Sequence, residues 1–417
     1  MYDLNLTAEQ LEFRETVRDF VKREIKPITL HPDRLQPFEK PLLLDILDKA
    51  SRMGLRTLAL SQELGGAGAD NLTSCIVMEE LAAGDVDIAT TLAQTSTLAQ
   101  FLFDQAMTPE QRARFLPQFL ADDRYHLAFA AHEPDPDLGW KYHRPVAGEA
   151  DCRTTAVRQG NGDWVVNGVK AFIANAPIAK LIAVQVRIDP KTSGTGGVST
   201  LLVPRDTPGL SVRDHHDIAR QAGPDGRPSL LWYHGTRGEV VFKDCRVPAD
   251  HVLGKEGENR LTGAAQSVRR GIPQLAAIDL GIGRAAYEAA VDYAKLRVQG
   301  GRHIIEHQAI GTILAGIVIK LEVAHNMVWK AAWALDHPDA VAKRSLSDLP
   351  LQTIASVFTF EVVHEITLDA AECFGAMGVM RDMPLQKYVH DSRIFLHSGD
   401  SNSVAKFRIA EAVAGFR

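Results

Sequence analysis

At 417 residues the chain is too long for one ordinary hydrophobic core, so two or three packed units are expected. Its 45% hydrophobic and 24% charged residues are ordinary for a globular protein. A formal net charge of −6, with no Lys/Arg block, argues against a nucleic-acid partner. Cys75, Cys152, Cys245 and Cys373 stand far apart with no Cys-x-x-Cys pair, against both a disulfide framework and a zinc site. No metal is expected. The N-terminus carries no signal or transit pattern, and no apolar run approaches membrane-spanning length, Ile313–Ile319 reading as core within an amphipathic helix. A cytoplasmic protein with no membrane partner is the simplest expectation.

Helical periodicity dominates the first 120 residues or so. Thr7-Ala8-Glu9-Gln10 has capping-box spacing, and apolar Leu11, Val17, Phe20, Val21 and Ile25 follow before Pro27, expected to stop the helix. Thr108-Pro109-Glu110-Gln111 repeats the start signal, with Pro117 expected to kink its helix rather than end it. From Tyr125 short β-type runs appear: Leu127–Ala131, Trp164–Asn167, Leu181–Val186, Thr200–Val203 and Val240–Phe242. Asn161-Gly162-Asp163 and Asn167-Gly168 read as turns between them, and Asp189–Gly197 and Gln221–Gly238 as surface loops. Helical period returns near Asn259, in Ala276–Leu296, Gln308–Leu335, Leu351–Phe374 and Val404–Val413. The expected fold class is α+β, mostly α. A helical domain spans 1–124, an antiparallel β domain 125–250 and a C-terminal four-helix bundle 251–417.

Local motifs carry more than this pattern. Glu133-Pro134 follows the first β run, and Val166-Asn167-Gly168-Val169-Lys170-Ala171-Phe172-Ile173-Ala174-Asn175 comes next. The β region closes on Val241-Phe242-Lys243-Asp244-Cys245-Arg246-Val247-Pro248. Arg297, Glu306-His307-Gln308-Ala309-Ile310 and Phe374-Gly375-Ala376-Met377-Gly378 lie beyond it. In this order and at these separations the fragments resemble the acyl-CoA dehydrogenase family over nearly the whole chain.

The resemblance implies FAD between the β domain and the C-terminal bundle, an acyl-CoA thioester as substrate and electron transfer flavoprotein as electron acceptor. It also implies a homotetramer built as a dimer of dimers, or a mixed assembly with a paralogue. Arg297 corresponds to the family's pyrophosphate arginine, His307 and Ile310 to residues lining the cofactor, and Glu372, Gly375 and Ala376 to the segment receiving its adenosine end. Read alone, Arg297 also suits a helix C-terminus and Gly375 a helix stop. Near the ring, the family's tryptophan is Phe172, its ring-edge threonine is Ala174, and the strand partner before Glu-Pro is His132. Gln299 stands at the threonine of the Arg-x-Thr-Phe run.

The chain departs from the family where the catalytic glutamate is expected. Phe395-Leu396-His397-Ser398-Gly399-Asp400-Ser401-Asn402 occupies the Tyr-Glu-Gly-Thr segment, and Ser398 or Gly399 falls on the base. Their backbone N–H is expected to keep polarising the thioester carbonyl, and Asn402 to lie on the cofactor side. A second position used in some members falls on Arg270 or Gly271, again without a carboxylate. Asp400 is the nearest replacement for the base, though Asp400 or Ser401 also reads as the N-cap of the last helix. Asp85 and Asp87 are further candidates, read more simply as solvated turn carboxylates.

Overall fold

The computed structural model describes residues 5–35, 40–134, 152–189, 197–215, 234–257, 273–341, 349–397 and 402–415. The chain divides into two compact units that do not follow sequence order. The first comprises Met1–Pro41, Asp70–Thr90 and Val268–Gly415, and the second Leu42–Ala69, Thr91–Ser267 and Phe416–Arg417.

The first unit is helical. Helix α1 (Ala8–Phe20) opens on the expected capping box, Thr7 and Gln10 each accepting from the other's backbone N–H. Pro27 does not stop it: a π-helical stretch, Val21–Ile25, leads into a further helical turn at Lys26–Thr29. Pro27 lies in the first turn of that segment, where its missing N–H costs no hydrogen bond. Helix α2 (Leu44–Arg52) belongs to the second unit, whereas α3 (Asn71–Ala82) belongs to the first. Helix α4 (Val86–Ala99) begins in the first unit and ends in the second; α5 (Pro109–Ala121) lies in the second and runs through Pro117 as expected.

The second unit is built on an eight-stranded sheet. Its strands are β1 (His126–Ala130), β2 (Thr155–Arg158), β3 (Trp164–Ala174), β4 (Ala179–Arg187), β5 (Val198–Pro204), β6 (Leu210–Asp214), β7 (Arg237–Val247) and β8 (Val252–Leu253). The order is β6-β7-β3-β2-β4-β5-β8, with β1 beside β4. The pairing is mainly antiparallel, but β1 runs parallel to β4, Leu127 opposite Leu181, and β2 meets β4 in parallel at Thr155 and Arg187. Trp164, Val166, Ile182, Val184, Leu201 and Val203 fill one core of this unit. Leu60, Phe103, Phe115, Phe119 and Leu127 fill another.

Asn161-Gly162-Asp163 makes the expected turn, Gly162 at φ +92°. Asn167-Gly168 does not: both residues lie inside β3, where the register with β7 shifts between Val166 and Gly168. Asn167 Oδ1 accepts from the Asp244 N–H, and Gly168 at φ +145° has Thr154 where a Cβ would go. The Asn-Gly signal marks a bulge here. Gly238 belongs to β7 rather than to a loop, with most of the preceding Gln221–Gly238 stretch outside the described residues.

The C-terminal helices of the first unit are α6 (Pro273–Leu296), α7 (Gln308–Asp336), α8 (Leu351–Phe374), α9 (Leu385–Phe395) and α10 (Asn402–Ala414). Between α6 and α7 a two-stranded hairpin, β9 (Val298–Gln299) and β10 (Arg302–His303), turns on Gly300 and Gly301, both at positive φ. Helices α3 and α6 approach closely: a Cβ on Gly281 would lie 2.3 Å from the Glu79 carbonyl oxygen. Beside that contact Glu79 bonds to Arg284 at 2.8 Å and to His325 at 2.9 Å. Burial opposes its ionisation, but His325 and Arg284 prevail and hold its carboxyl at about 2. Asp85 is fully buried rather than solvated: its Oδ1 caps the Asp87 and Ile88 N–H groups, and Lys40 pairs with it and with Asp87.

Candidate functional site

In the second unit the expected ring-facing residues gather where β1 ends and β3 bulges. Between Lys170 and Ile173 the β3–β7 register shifts again, so Ala171 and Phe172 oppose one residue, Glu239. Phe172 takes φ +55°, a strained value for an aromatic residue, and the residue is 59% exposed. His215 meets that ring edge-on, centroids 4.7 Å apart. The His132 carbonyl accepts from the Ala171 N–H at 3.0 Å, fastening the segment after β1 to the bulge. Ala174, half-buried, closes the strand.

The supports of this bulge carried no assigned role in the sequence. Lys170 is fully buried and donates from Nζ to Glu133 Oε1 at 2.6 Å and to the Ala131 carbonyl at 3.3 Å. Thr154 donates its N–H to the same carboxylate. Asn175, at φ +61°, donates from Nδ2 to the Thr91 carbonyl and to Thr95 Oγ1, which in turn contacts His126 Nδ1. Burial, aided by Arg56, pushes the His126 imidazole down to about 4. Glu133-Pro134 and the Asn-Gly-x-Lys run were the available signals, since a lysine within an apolar strand needs a buried carboxylate.

In the first unit Arg297, Gln299 and His307 converge on the β9–β10 hairpin. Arg297 Nη2 donates to Gln299 Oε1 at 3.5 Å, and His307 Nε2 donates to the Gln299 carbonyl at 3.0 Å. Arg302 Nη2 donates to His307 Nδ1 at 3.3 Å, adding a second guanidinium the sequence reading missed. Its place opposite Gln299 across Gly300-Gly301 could have revealed it. Ile310 lies half-buried in the first turn of α7. Tyr293 stacks on Phe374 at 4.1 Å, bringing the Arg297 end of α6 to the end of α8 that carries Glu372, Gly375 and Ala376. All three are exposed, with Gly375 at φ +56°.

Ser398, Gly399 and Asp400 lie outside the described residues, as does Ser401. Asn402 is buried at the start of α10; its N–H reaches the Leu396 carbonyl at 3.2 Å and its Nδ2 the Val357 carbonyl at 3.3 Å. The aromatic and basic stretches Trp140-Lys141-Tyr142-His143-Arg144 and Trp232-Tyr233 also lie outside the described residues, whereas His234 is described and buried.

Three domain models of one family cover most of the chain: acyl-CoA dehydrogenase N-terminal over residues 7–123, middle over 148–229 and C-terminal over 264–414. The chain belongs to the acyl-CoA dehydrogenase family. Members of this family are FAD-dependent oxidoreductases that bind acyl-CoA. This acyl-CoA dehydrogenase-family chain is 28% identical to an acyl-CoA dehydrogenase of Bacillus subtilis, covering 99% of this chain and 100% of that one. It is 26% identical to a mitochondrial isobutyryl-CoA dehydrogenase of Dictyostelium discoideum, covering 99% and 90%. Among solved structures, butyryl-CoA dehydrogenase from Megasphaera elsdenii superposes with a TM-score of 0.81 at 25% identity, covering 99% and 100%. A chain described as electron transferring flavoprotein of Acidaminococcus fermentans superposes at 0.79 with 26% identity, covering 99% of both.

Proposed function

We propose that the protein oxidises a CoA thioester across its α,β carbon–carbon bond with FAD, using a proton acceptor other than the family's glutamate. The observation that carries this reading is Phe172, an exposed aromatic ring on a strained bulge at the motif position that faces the flavin in the family. Backbone strain held in place by a buried ion pair is expected where a ligand must meet a preset surface. The residues present fit FAD. The Phe172 ring offers an apolar wall suited to an isoalloxazine, and Arg297 with Arg302 offers guanidinium forks suited to a pyrophosphate. When bound, FAD supplies a two-electron acceptor.

The chain's own tasks are to orient the thioester and to take its α-proton. The Ser398 or Gly399 backbone N–H donates to the thioester carbonyl, a role that needs no particular side chain, and Asp400 takes the proton. Electrons then leave to an electron transfer flavoprotein. The likeness to the Acidaminococcus fermentans chain supports that acceptor. The exposed apolar face of α7 supports assembly of several copies, as a dimer of dimers or with a paralogue.

Titration of the FAD-loaded protein with a series of acyl-CoAs tests the reading. The expected result is a perturbed flavin spectrum with bleaching by at least one thioester. In Asp400→Asn binding remains and bleaching slows by at least about a hundredfold. Perturbation without bleaching by any thioester favours an oxidase, an eliminating enzyme or a base-less subunit. No perturbation at all ends the CoA-thioester reading.

A further inference from the structure

The Phe172 bulge fixes a backbone but not a ring. The Ala171 N–H is held by the His132 carbonyl, the Phe172 carbonyl accepts from Arg237 Nη1 at 3.4 Å, and Ile173 is back in register with Gly238. Beside them the Lys170–Glu133 pair is buried. Each of these contacts acts on the main chain or on a neighbour. With Phe172 largely exposed, its two side-chain torsions are left for another group to set.

The order of the sheet supplies that group. Strand β7 lies between β3 and β6, and its Gly238 pairs with Ile173 on one side and with Asp214 on the other. A Cβ on Gly238 would lie 2.7 Å from the Arg213 carbonyl oxygen, so glycine lets β6 come close there. His215 follows Asp214 directly and is only 4% exposed. Its imidazole meets the Phe172 ring with centroids 4.7 Å apart and planes at 76°. The two side chains therefore join across β7, one held by burial and the other open to solvent. Edge against face is a favoured geometry for an aromatic pair.

We infer that His215 is a positioning residue for the flavin: it holds the Phe172 ring in the orientation that receives the isoalloxazine. The inference rests on the placement of Phe172 against the flavin proposed above. A ring set before the cofactor arrives loses less conformational freedom on binding, and the gain appears as affinity. His215 need not touch FAD to have this effect. A role in packing alone would lower the stability of the protein but leave the FAD affinity of the folded molecules unchanged.

The test is a double-mutant cycle on FAD affinity. The loaded protein is diluted in steps, FAD released at equilibrium is read by its fluorescence, and circular dichroism checks that each variant is folded. His215→Ala is expected to weaken FAD binding by about three- to tenfold. His215→Asn, polar and planar without an aromatic ring, is expected to do the same. His215→Phe, which keeps an aromatic edge, is expected to stay within about twofold of the parent. In Phe172→Ala protein, itself a weaker binder, His215→Ala is expected to add no further loss. The inference is overturned if both His215→Ala and His215→Asn hold FAD like the parent. It is also overturned if His215→Ala costs as much without the Phe172 ring as with it, or if folded His215→Phe loses as much as His215→Ala. A Phe172→Ala protein that holds FAD unchanged is a separate failure: it removes Phe172 from the flavin and takes the support of the proposed function with it.

Discussion

Asp279, a fully buried acid with no hydrogen-bond partner among the described residues, marks a position where the chain departs from what stability alone would select. The Asp279 carboxyl is raised by burial and by Asp391, so its folded form holds a proton more tightly than the unfolded chain does. Its stabilising contribution is full below the unfolded carboxylate value of about 3.9 and is lost as pH rises through the folded value. Asp279→Leu is therefore expected to raise the melting temperature at pH 7, by about 1–3 kcal/mol in stability, and to gain little at pH 3.5. An equal gain at both pH values would show that burial of the polar group, not its ionisation, sets the cost, and no gain at either would show that the carboxyl is satisfied. Lys170 is the converse: Lys170→Met strands the Glu133 carboxylate, and urea unfolding is expected to show a loss of about 3–5 kcal/mol. The Arg297 group was legible because its motif is contiguous in sequence. Arg302 and Asp279 were not, since their significance lies in what stands opposite them in space.

At the scale of elements, long helices were the easiest to read. Leu351–Phe374 was expected over the same residues it occupies, because a repeating apolar face over six turns or so leaves little choice of boundary. Strands β2 and β6 escaped notice: four and five residues, each with exposed positions, give too few alternations to stand out. The Asn-Gly pair misled because a bulge and a hairpin ask the same backbone freedom of glycine, and only the partner strand decides between them. Glycine also sets the spacing of α3 and α6. Gly281→Ala gains about 1 kcal/mol in helix propensity but pushes a methyl into the Glu79 carbonyl, an overpacking cost of about 1–3 kcal/mol. The net effect is expected to be destabilising in thermal unfolding. Gly316→Ala on α7, where nothing among the described residues stands within 4 Å, is expected to stabilise by about 1 kcal/mol.

For the whole molecule, the sequence conveyed that helical, β and helical regions follow one another. It did not convey that the compact units interleave, because which helices pack together depends on long-range contacts with no local signature. It also understated α7. Among the described residues this helix is apolar and long enough to span a membrane, its most apolar 18 residues averaging a mean hydropathy of 1.3, contrary to the expectation that no run would be. One face packs into the first unit through Leu314, Ile317, Leu321 and Val328. On the other, Ile319 is 65% exposed, with Val318, Val323 and Leu335 also accessible. Ile319→Glu combined with Val323→Glu is expected to reduce the sedimenting mass to a smaller species at neutral pH. An unchanged mass would place the contact between copies elsewhere.

The interleaving of Met1–Pro41, Asp70–Thr90 and Val268–Gly415 also bears on synthesis. Glu80 has Arg18 for a partner from the start, but among the described residues Glu79 finds no cation until Arg284 emerges, after the entire sheet has been made. The sheet-bearing unit can close while translation continues, whereas the helical one must wait for nearly the last residue. A nascent chain arrested before α6 would thus hold a finished half and helices whose apolar residues, Leu72, Ile76 and Leu81 among them, lie uncovered, the kind of surface that chaperones bind.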